Sequence, residues 1–364
     1  MKPWIVHLLS VLLCASSLQA AAILTEFAGT GVVGNDGDGG PASQARLNNP
    51  FGLVRGPDGA LWFADYAANV VRRVGRDGVI TTVVGNGQGA YAGDGGLARA
   101  ASLNHPHEIR FDHAGKLYIA DASNNAIRRY DPQTGLIDTY AGTGHPGYAG
   151  DGGVANQAEL KSPISLQFDP AGNLFIADIG NHVIRRVAAK TGLITTIAGT
   201  GKAGNTPDGA PVTGTPLNGP RSLDFDREGN LWLITREGNQ LLRLDLAGGV
   251  IHHVAGTGKK GFTGNGGPAH VATFSGPKGI ALAPNGDVYL ADTENHVIRR
   301  VNVRRGNIDA VAGTGTAGAT LVANPLRTEL RRPHGIFVDA DGTIFISDSE
   351  NHRILSIPVG VSAR

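Results

Sequence analysis

The chain has 364 residues, of which 54 are glycine, roughly twice the usual share of about 7%. Glycine follows no three-residue period, which excludes collagen, and a hydrophobic content of 41% is too high for a disordered low-complexity chain. Lys plus Arg number 32 and Asp plus Glu 31, so the net charge of +1 offers no basic face of the kind nucleic acid requires.

In chain order, Met1 and Lys2 precede an apolar run from Trp4 to Leu13, followed by small residues at Ala15, Ser16, Ser17 and Ala20 to Ala22. This is the pattern of a secretory signal peptide, and it is too short for a transmembrane helix. Residues 1–22 are expected to be cleaved, with Ala20-x-Ala22 fitting the small-x-small rule best. Cleavage removes Cys14, the single cysteine. A lipoprotein acylated at Cys14 would need a small residue where Leu13 stands. The expected product is a monomer of residues 23–364, exported to a periplasm or the cell exterior. No other segment is apolar enough to span a membrane, and without cysteine no disulfide constrains the unfolded chain.

Downstream, one segment recurs six times: Leu61-Trp62-Phe63-Ala64-Asp65, then the runs ending at Asp121, Asp178, Thr235, Asp292 and Asp348. The spacings are 56, 57, 57, 57 and 56 residues. The pattern Ala-Gly-Thr-Gly recurs in step, with its first glycine at 29, 85, 142, 199, 256 and 313. Each unit holds four short apolar runs separated by turns; in the second they are Ile109 to Phe111, Leu117 to Ala120, Ala126 to Tyr130 and Leu136 to Tyr140. Four strands per unit make a propeller blade. The chain opens on a lone fourth strand, Ile23 to Phe27, and ends after a third strand, Ile354 to Ile357. The expected fold is an all-β, six-bladed propeller whose last blade is closed by the N-terminal strand, removing the open edges that invite aggregation.

The run Asn181-His182-Val183-Ile184-Arg185-Arg186, repeated from Asn295 and shortened at Asn351-His352-Arg353-Ile354, resembles the NHL-repeat family. The resemblance covers residues 23–364 and implies a six-bladed propeller. It implies less about function, since this architecture hosts binding modules, lyases and lactonases. The surplus length of each unit lies in the connection leading to the next blade. There the pattern Gly-x-Gly-x-x-Gly-x-x-Gly-Asp-Gly-Gly resembles the long connections of bacterial secreted NHL proteins and of the teneurin propeller.

Several repeated residues are read as structural. His182, His296 and His352, with Asn69 and Asn125 at the same position, are expected to be turn or blade-contact elements. Asp65, Asp121, Asp178, Asp292 and Asp348 are expected to accept N–H bonds. The second arginine of each third strand (Arg73, Arg129, Arg186, Arg243, Arg300) is expected to bridge blades. Asp38, Asp94, Asp151 and Asp208 in the connections are expected to start helical turns. As a calcium loop that segment lacks the glutamate of an EF-hand, and as a phosphate cradle it lacks a following Lys-Ser/Thr.

The informative position follows the proline opening each first strand: Phe51, His107, Ile164, Arg221, Lys278 and His334. It varies while the scaffold repeats, as a grafted site should. Phe51, His107 with Glu108, Arg221, Lys278 and His334 are therefore the candidate binding residues, expected to ring one channel mouth. Four of the six ring positions can carry positive charge, which suits an anionic ligand. The preferred function is a recognition scaffold for a protein, a glycan or a small anionic ligand, with no cofactor required. The alternative is a metal-assisted lyase or hydrolase. Peptidyl-hydroxyglycine lyases resemble this fold and hold zinc through histidines from alternate blades; His107 and His334 match that motif, but Arg221 stands where the third ligand belongs. A lactonase-like metal would draw on Asp224, Gln167 and Asn104. Two breaks in the repeat, Thr235-Arg236-Glu237 with His252-His253, and the altered connection from Gly313 to Pro333, are expected to make the mouth's face lopsided over blades four to six.

Overall fold

A computed structural model describes residues 23–358; the signal peptide expected over residues 1–22, Cys14 included, lies outside them. Six antiparallel sheets follow one another along the chain. Blade one consists of Pro50–Arg55, Leu61–Asp65, Val70–Val74 and Ile80–Val84, paired in that order. Blade six joins Ile336–Val338, Ile344–Asp348 and Arg353–Ile357 to the N-terminal strand Thr25–Ala28, which pairs with Arg353–Ile357. The ring is thus closed between the two ends of the described chain, as the repeat predicts. Among the described residues, no helix is long and apolar enough to cross a membrane.

First strands line the centre. Second strands are buried at all five positions in every blade, because each is flanked by neighbouring blades on both faces. This is why they read as unbroken apolar runs rather than alternating ones. Phe63, Ile119, Ile176, Leu233, Leu290 and Ile346 occupy equivalent central positions, all with 0% exposure.

The long connections return over their own blade and cover its outer strand. Ile80 donates to the Gly40 carbonyl, Ile137 to Gly96, Ile194 to Gly153 and Ile251 to Ala210. In blade five the cover becomes a short fifth strand, Gly267–Pro268. In blade six Leu24 donates to Ala323.

What fastens the connection in four of the six blades is the first arginine of the third strand. Arg72, Arg128, Arg185 and Arg299 have 0% exposure. Arg128 donates to the carbonyls of Ser102 and Ala92 and pairs with Asp94 at 2.5 Å and Asp121 at 3.3 Å. Arg72 pairs with Asp38 and Arg185 with Asp151, both at 2.7 Å. This corrects two expectations. The second arginines point outward within their own blade, Arg73 to Asp58 and Arg129 to Asp138. Nor do the connection aspartates cap helices: short 3-10 turns such as Ala42–Gln44 do form, but without a side-chain cap. Asp38, Asp94 and Asp151 are instead the partners of the buried arginines.

The recurring Asp ends each second strand and accepts the backbone N–H of the residue two before the strand-opening proline: Asn48 to Asp65, Asn104 to Asp121, Lys161 to Asp178, Ser275 to Asp292 and Arg331 to Asp348, at 2.7–2.8 Å. Burial pushes the carboxyls of Asp121, Asp178 and Asp292 up to about 6, against these bonds and the arginines.

The Asn/His position forms a belt. Asn69, Asn125, His182, Asn239, His296 and His352 all have left-handed backbone, φ 48–57°. Each accepts the N–H of the residue before the next blade's proline: His105, Ser162, Gly219, Gly276, Arg332 and, across the closure, Asn49, at 2.9–3.4 Å. The first glycine of Ala-Gly-Thr-Gly lies beneath it, with φ 85–96°, where a Cβ would fall on the carbonyl oxygen of the belt residue.

Blade four lacks both the Asp and the buried Arg, having Thr235 and Leu242 instead. Arg185→Leu alone removes the guanidinium beside the buried Asp178 and is expected to cost about 3–5 kcal/mol in denaturant unfolding. The double change Asp178→Thr with Arg185→Leu copies blade four and is expected to recover most of that loss; equal loss in both variants would refute the pairing. Burial also holds the His296 and His352 imidazoles below their usual range. Their contribution is therefore present above pH ~6.5 and is lost as pH falls. His352→Asn, which copies the neighbouring blades, is expected to weaken that acid sensitivity, read as unfolding midpoint against pH.

Candidate binding site at the channel mouth

Second strands end, third strands begin and the long connections lie on one face of the ring, so the starts of the first strands open onto it. There the structure gathers Phe51, His107, Arg221, Lys278 and His334 into one contact cluster. The ring of Phe51 stacks on His334 with centroids 3.9 Å apart and meets His107 edge-on at 4.7 Å. Ile164 completes the circle and is buried. In blades five and six the regular first strand starts only at Ile280 and Ile336. Lys278 and His334 are nonetheless anchored, donating to the carbonyls of Ala291 and Ser347.

Each histidine faces a cation. An Arg221 guanidinium nitrogen lies 2.6 Å from His107 Nε2, and Lys278 Nζ lies 2.6 Å from His334 Nε2. His334 Nδ1 lies 3.0 Å from the Arg332 carbonyl. These partners assign His334 as a neutral imidazole that donates from Nδ1 and accepts at Nε2. Burial first, then the neighbouring cations, hold both imidazoles well below the usual histidine range. Burial and Arg236 lower Arg221 to about 10. Burial, then Arg221 and Arg332, bring Lys278 down to about 7. The nearest carboxylate to the Lys278 amine is Glu294, at 3.8 Å.

An outer layer comes from the turns after the second strands. Arg332 is clamped between Glu294 at 2.7 Å and Glu350 at 2.8 Å, and Arg236 pairs with Glu237 at 2.7 Å. The mouth is lopsided as expected, with its ionic groups over blades four to six. On the other side Tyr66 stacks on Phe51 at 4.1 Å and on His105 at 4.6 Å. Sequence reasoning missed Tyr66 and His105; the available signal was an aromatic in a turn where other blades have small, aliphatic or charged residues.

Three sets of candidates sit elsewhere. Glu108 turns to Arg110 of its own strand, at 2.7 Å, and burial raises its carboxyl. His252 and His253 lie on the outer strand Val250–Ala255, where His253 donates its N–H to Asp208. Gln167 and Asp224 bond to each other at 2.9 Å farther along the first strands, whereas Asn104 belongs to a connection. Among the described residues, no three His, Cys, Asp or Glu side chains are grouped to hold a metal ion. The donors at the mouth do not fit the three-histidine zinc centre of the resembling lyases, because the blade-four position holds Arg221 against His107. The connection aspartates, engaged by arginine, do not fit a calcium loop.

The depressed Lys278 carries a sign that can be checked. Its folded value of about 7 lies below an unfolded value near 10.4. Its burial therefore penalises folding fully below pH 7 and progressively less towards pH 10. Lys278→Met is expected to raise the unfolding midpoint more at pH 6 than at pH 9; the reverse order would refute the assignment.

Comparison with known proteins agrees with this architecture. The family profile of the Teneurin NHL domain matches residues 87–257, and that of the NHL repeat matches residues 274–300 and 330–355. NHL repeat-containing protein 2 of Bos taurus is 26% identical over 69% of this chain. Teneurin-1 of Mus musculus is 24% identical over 87% of it. The chain spans 38% and 12% of those relatives. Among solved structures, an auxiliary nutrient binding protein from Bacteroides thetaiotaomicron superposes with a TM-score of 0.67 at 17% identity, covering 92% of this chain and 76% of that one. A catalytically inactive virginiamycin B lyase from Staphylococcus aureus gives 0.51 at 19% identity, covering 85% and 80%. With six four-stranded blades, a recurring Asn-His turn and two matching profiles, the chain belongs to the NHL-repeat β-propeller family.

Proposed function

We propose that this chain is an exported binding protein that takes a small anionic ligand at the channel mouth. The observation that carries this reading is the excess of positive charge there. Arg221, Arg236, Lys278 and Arg332 converge there: burial first, and then these neighbouring cations, lower the proton affinity of Arg221 and Lys278. Lys278 is buried and Arg221 partly so, and neither has a carboxylate within hydrogen-bond distance, because Glu237, Glu294 and Glu350 are engaged by Arg236 and Arg332. Such cations cost stability, and a bound carboxylate or phosphate offsets that cost through charge-assisted hydrogen bonds. The nutrient binding protein sharing this architecture agrees with a binding role.

The rival reading is a metal-assisted lyase or hydrolase; a virginiamycin B lyase shares the architecture. The two separate on metal content and on which substitutions matter. Titration calorimetry with small carboxylates and with inorganic phosphate is expected to give binding that weakens with salt. Arg221→Met is expected to reduce affinity by about tenfold or more, one charge-assisted hydrogen bond amounting to about 1.5–3 kcal/mol. Stoichiometric zinc that is lost in His107→Ala or His334→Ala would overturn the scaffold reading.

A further inference from the structure

Lys278 lacks the usual arrangement of a buried lysine. No carboxylate bonds it directly: Glu294 is 3.8 Å away and already engaged by Arg332 at 2.7 Å. The amine's close partner is the His334 imidazole at 2.6 Å, a neutral base whose Nδ1 is committed to the Arg332 carbonyl. Around it stand Arg221, Arg236 and Arg332. Lys278 is only 6% exposed, and Phe51 stacks on the ring face of His334. An amine that is desolvated, surrounded by cations and hydrogen-bonded to a neutral acceptor is how a lysine becomes a nucleophile rather than an ammonium ion.

We infer that Lys278 captures a carbonyl-bearing acid, a 2-oxo acid or similar keto or aldehyde carboxylate, as a reversible imine. The inference rests on the anionic-ligand reading of the same mouth. The ligand carboxylate pairs with Arg332 and Arg221, taking the place Glu294 now holds on Arg332, and this sets the adjacent carbonyl carbon against Nζ. The Nζ lone pair adds to that carbon and the carbonyl π electrons go to its oxygen. His334 Nε2 carries the two protons of that nitrogen to the oxygen in turn, the first converting the alkoxide to the carbinolamine hydroxyl and the second passing to that hydroxyl as it leaves. The C–O bond then breaks, water leaves, and the C=N bond forms. Nothing is oxidised or reduced, and one water is released per imine. The reverse addition of water frees the ligand, so the site loads and unloads without another reactant. Burial and the surrounding guanidinium groups hold the amine near neutrality, at about 7, in keeping with this geometry.

The test is reductive trapping of the intact chain. The protein is incubated at pH 7.5 with pyruvate and cyanoborohydride, and in parallel with neutral benzaldehyde, and adducts are located by peptide mass spectrometry. Lys278 is expected to be modified by pyruvate at least tenfold faster than the surface lysines, since an ordinary amine of pKa about 10.4 is about one part in a thousand neutral at that pH. His334→Gln is expected to slow trapping, and Lys278→Arg to abolish it at that position. Site mapping in the unaltered chain carries the result even where a variant fails to fold. Pyruvate that binds by calorimetry but labels Lys278 no faster than surface lysines overturns the imine and leaves the anion site standing. Labelling of Lys278 by benzaldehyde as fast as by pyruvate supports the activated amine and overturns the anion site. Indifference of Lys278 to both probes overturns the inference.

Discussion

The long connections depend on one interaction, an arginine at 0% exposure in the third strand whose planar fork reaches two carbonyls and the connection aspartate. A glycine-rich segment of some twenty residues cannot bury enough apolar surface to order itself. The arginine supplies a directed, multi-point anchor instead, and the second-strand Asp carries the order on to the residues before the next proline. An aromatic lies over the guanidinium in three blades: Tyr91 at 5.2 Å, Tyr148 at 5.4 Å and Phe262 at 5.6 Å. The arrangement tolerates exchange only as a set. Blade four has lost Asp and Arg together, and blade six replaces the arginine with Arg353, two residues earlier on the strand, which still bonds Asp348 at 2.8 Å.

That anchoring makes the mouth possible. With the connections held from the outside, the residues at the channel carry no load in the repeat and are free to differ. Their differences are concentrated where blade four breaks the pattern: Thr235 in place of the Asp is followed by Arg236 and Glu237, which bring charge to the rim that other blades fill with Ala122, Ile179 or Thr293. The Arg236–Glu237 pair and the missing anchor thus belong to the same departure from the repeat, while Glu294, Arg332 and Glu350 come from blades five and six.

The blade count, strand order and closure were legible because six copies of one pattern average out local ambiguity, and the ring position was legible because it varied against that background. The arginine was misassigned because two adjacent arginines share the third strand in four blades and only register decides which faces inward. A signal was available: blade four keeps Arg243 but loses the first arginine together with the Asp, which ties those two residues. Tyr66 and His105 escaped because they lie in turns and at connection ends, outside the aligned first-strand position. The Lys278–His334 contact joins adjacent blades and depends on side-chain reach that spacing alone does not reveal.

The six bonds from Asn or His to the next blade's backbone form an unbroken circumferential hoop around the mouth. A hoop with a link at every joint cannot be widened at one point without loading all the others. Its aperture therefore works as a fixed gauge. On the binding role proposed above, guests would be admitted by the swinging of single side chains such as Arg332, on the timescale of rotamers rather than of domains. Such a device should sort by size and charge quickly, and with little memory of what it last held.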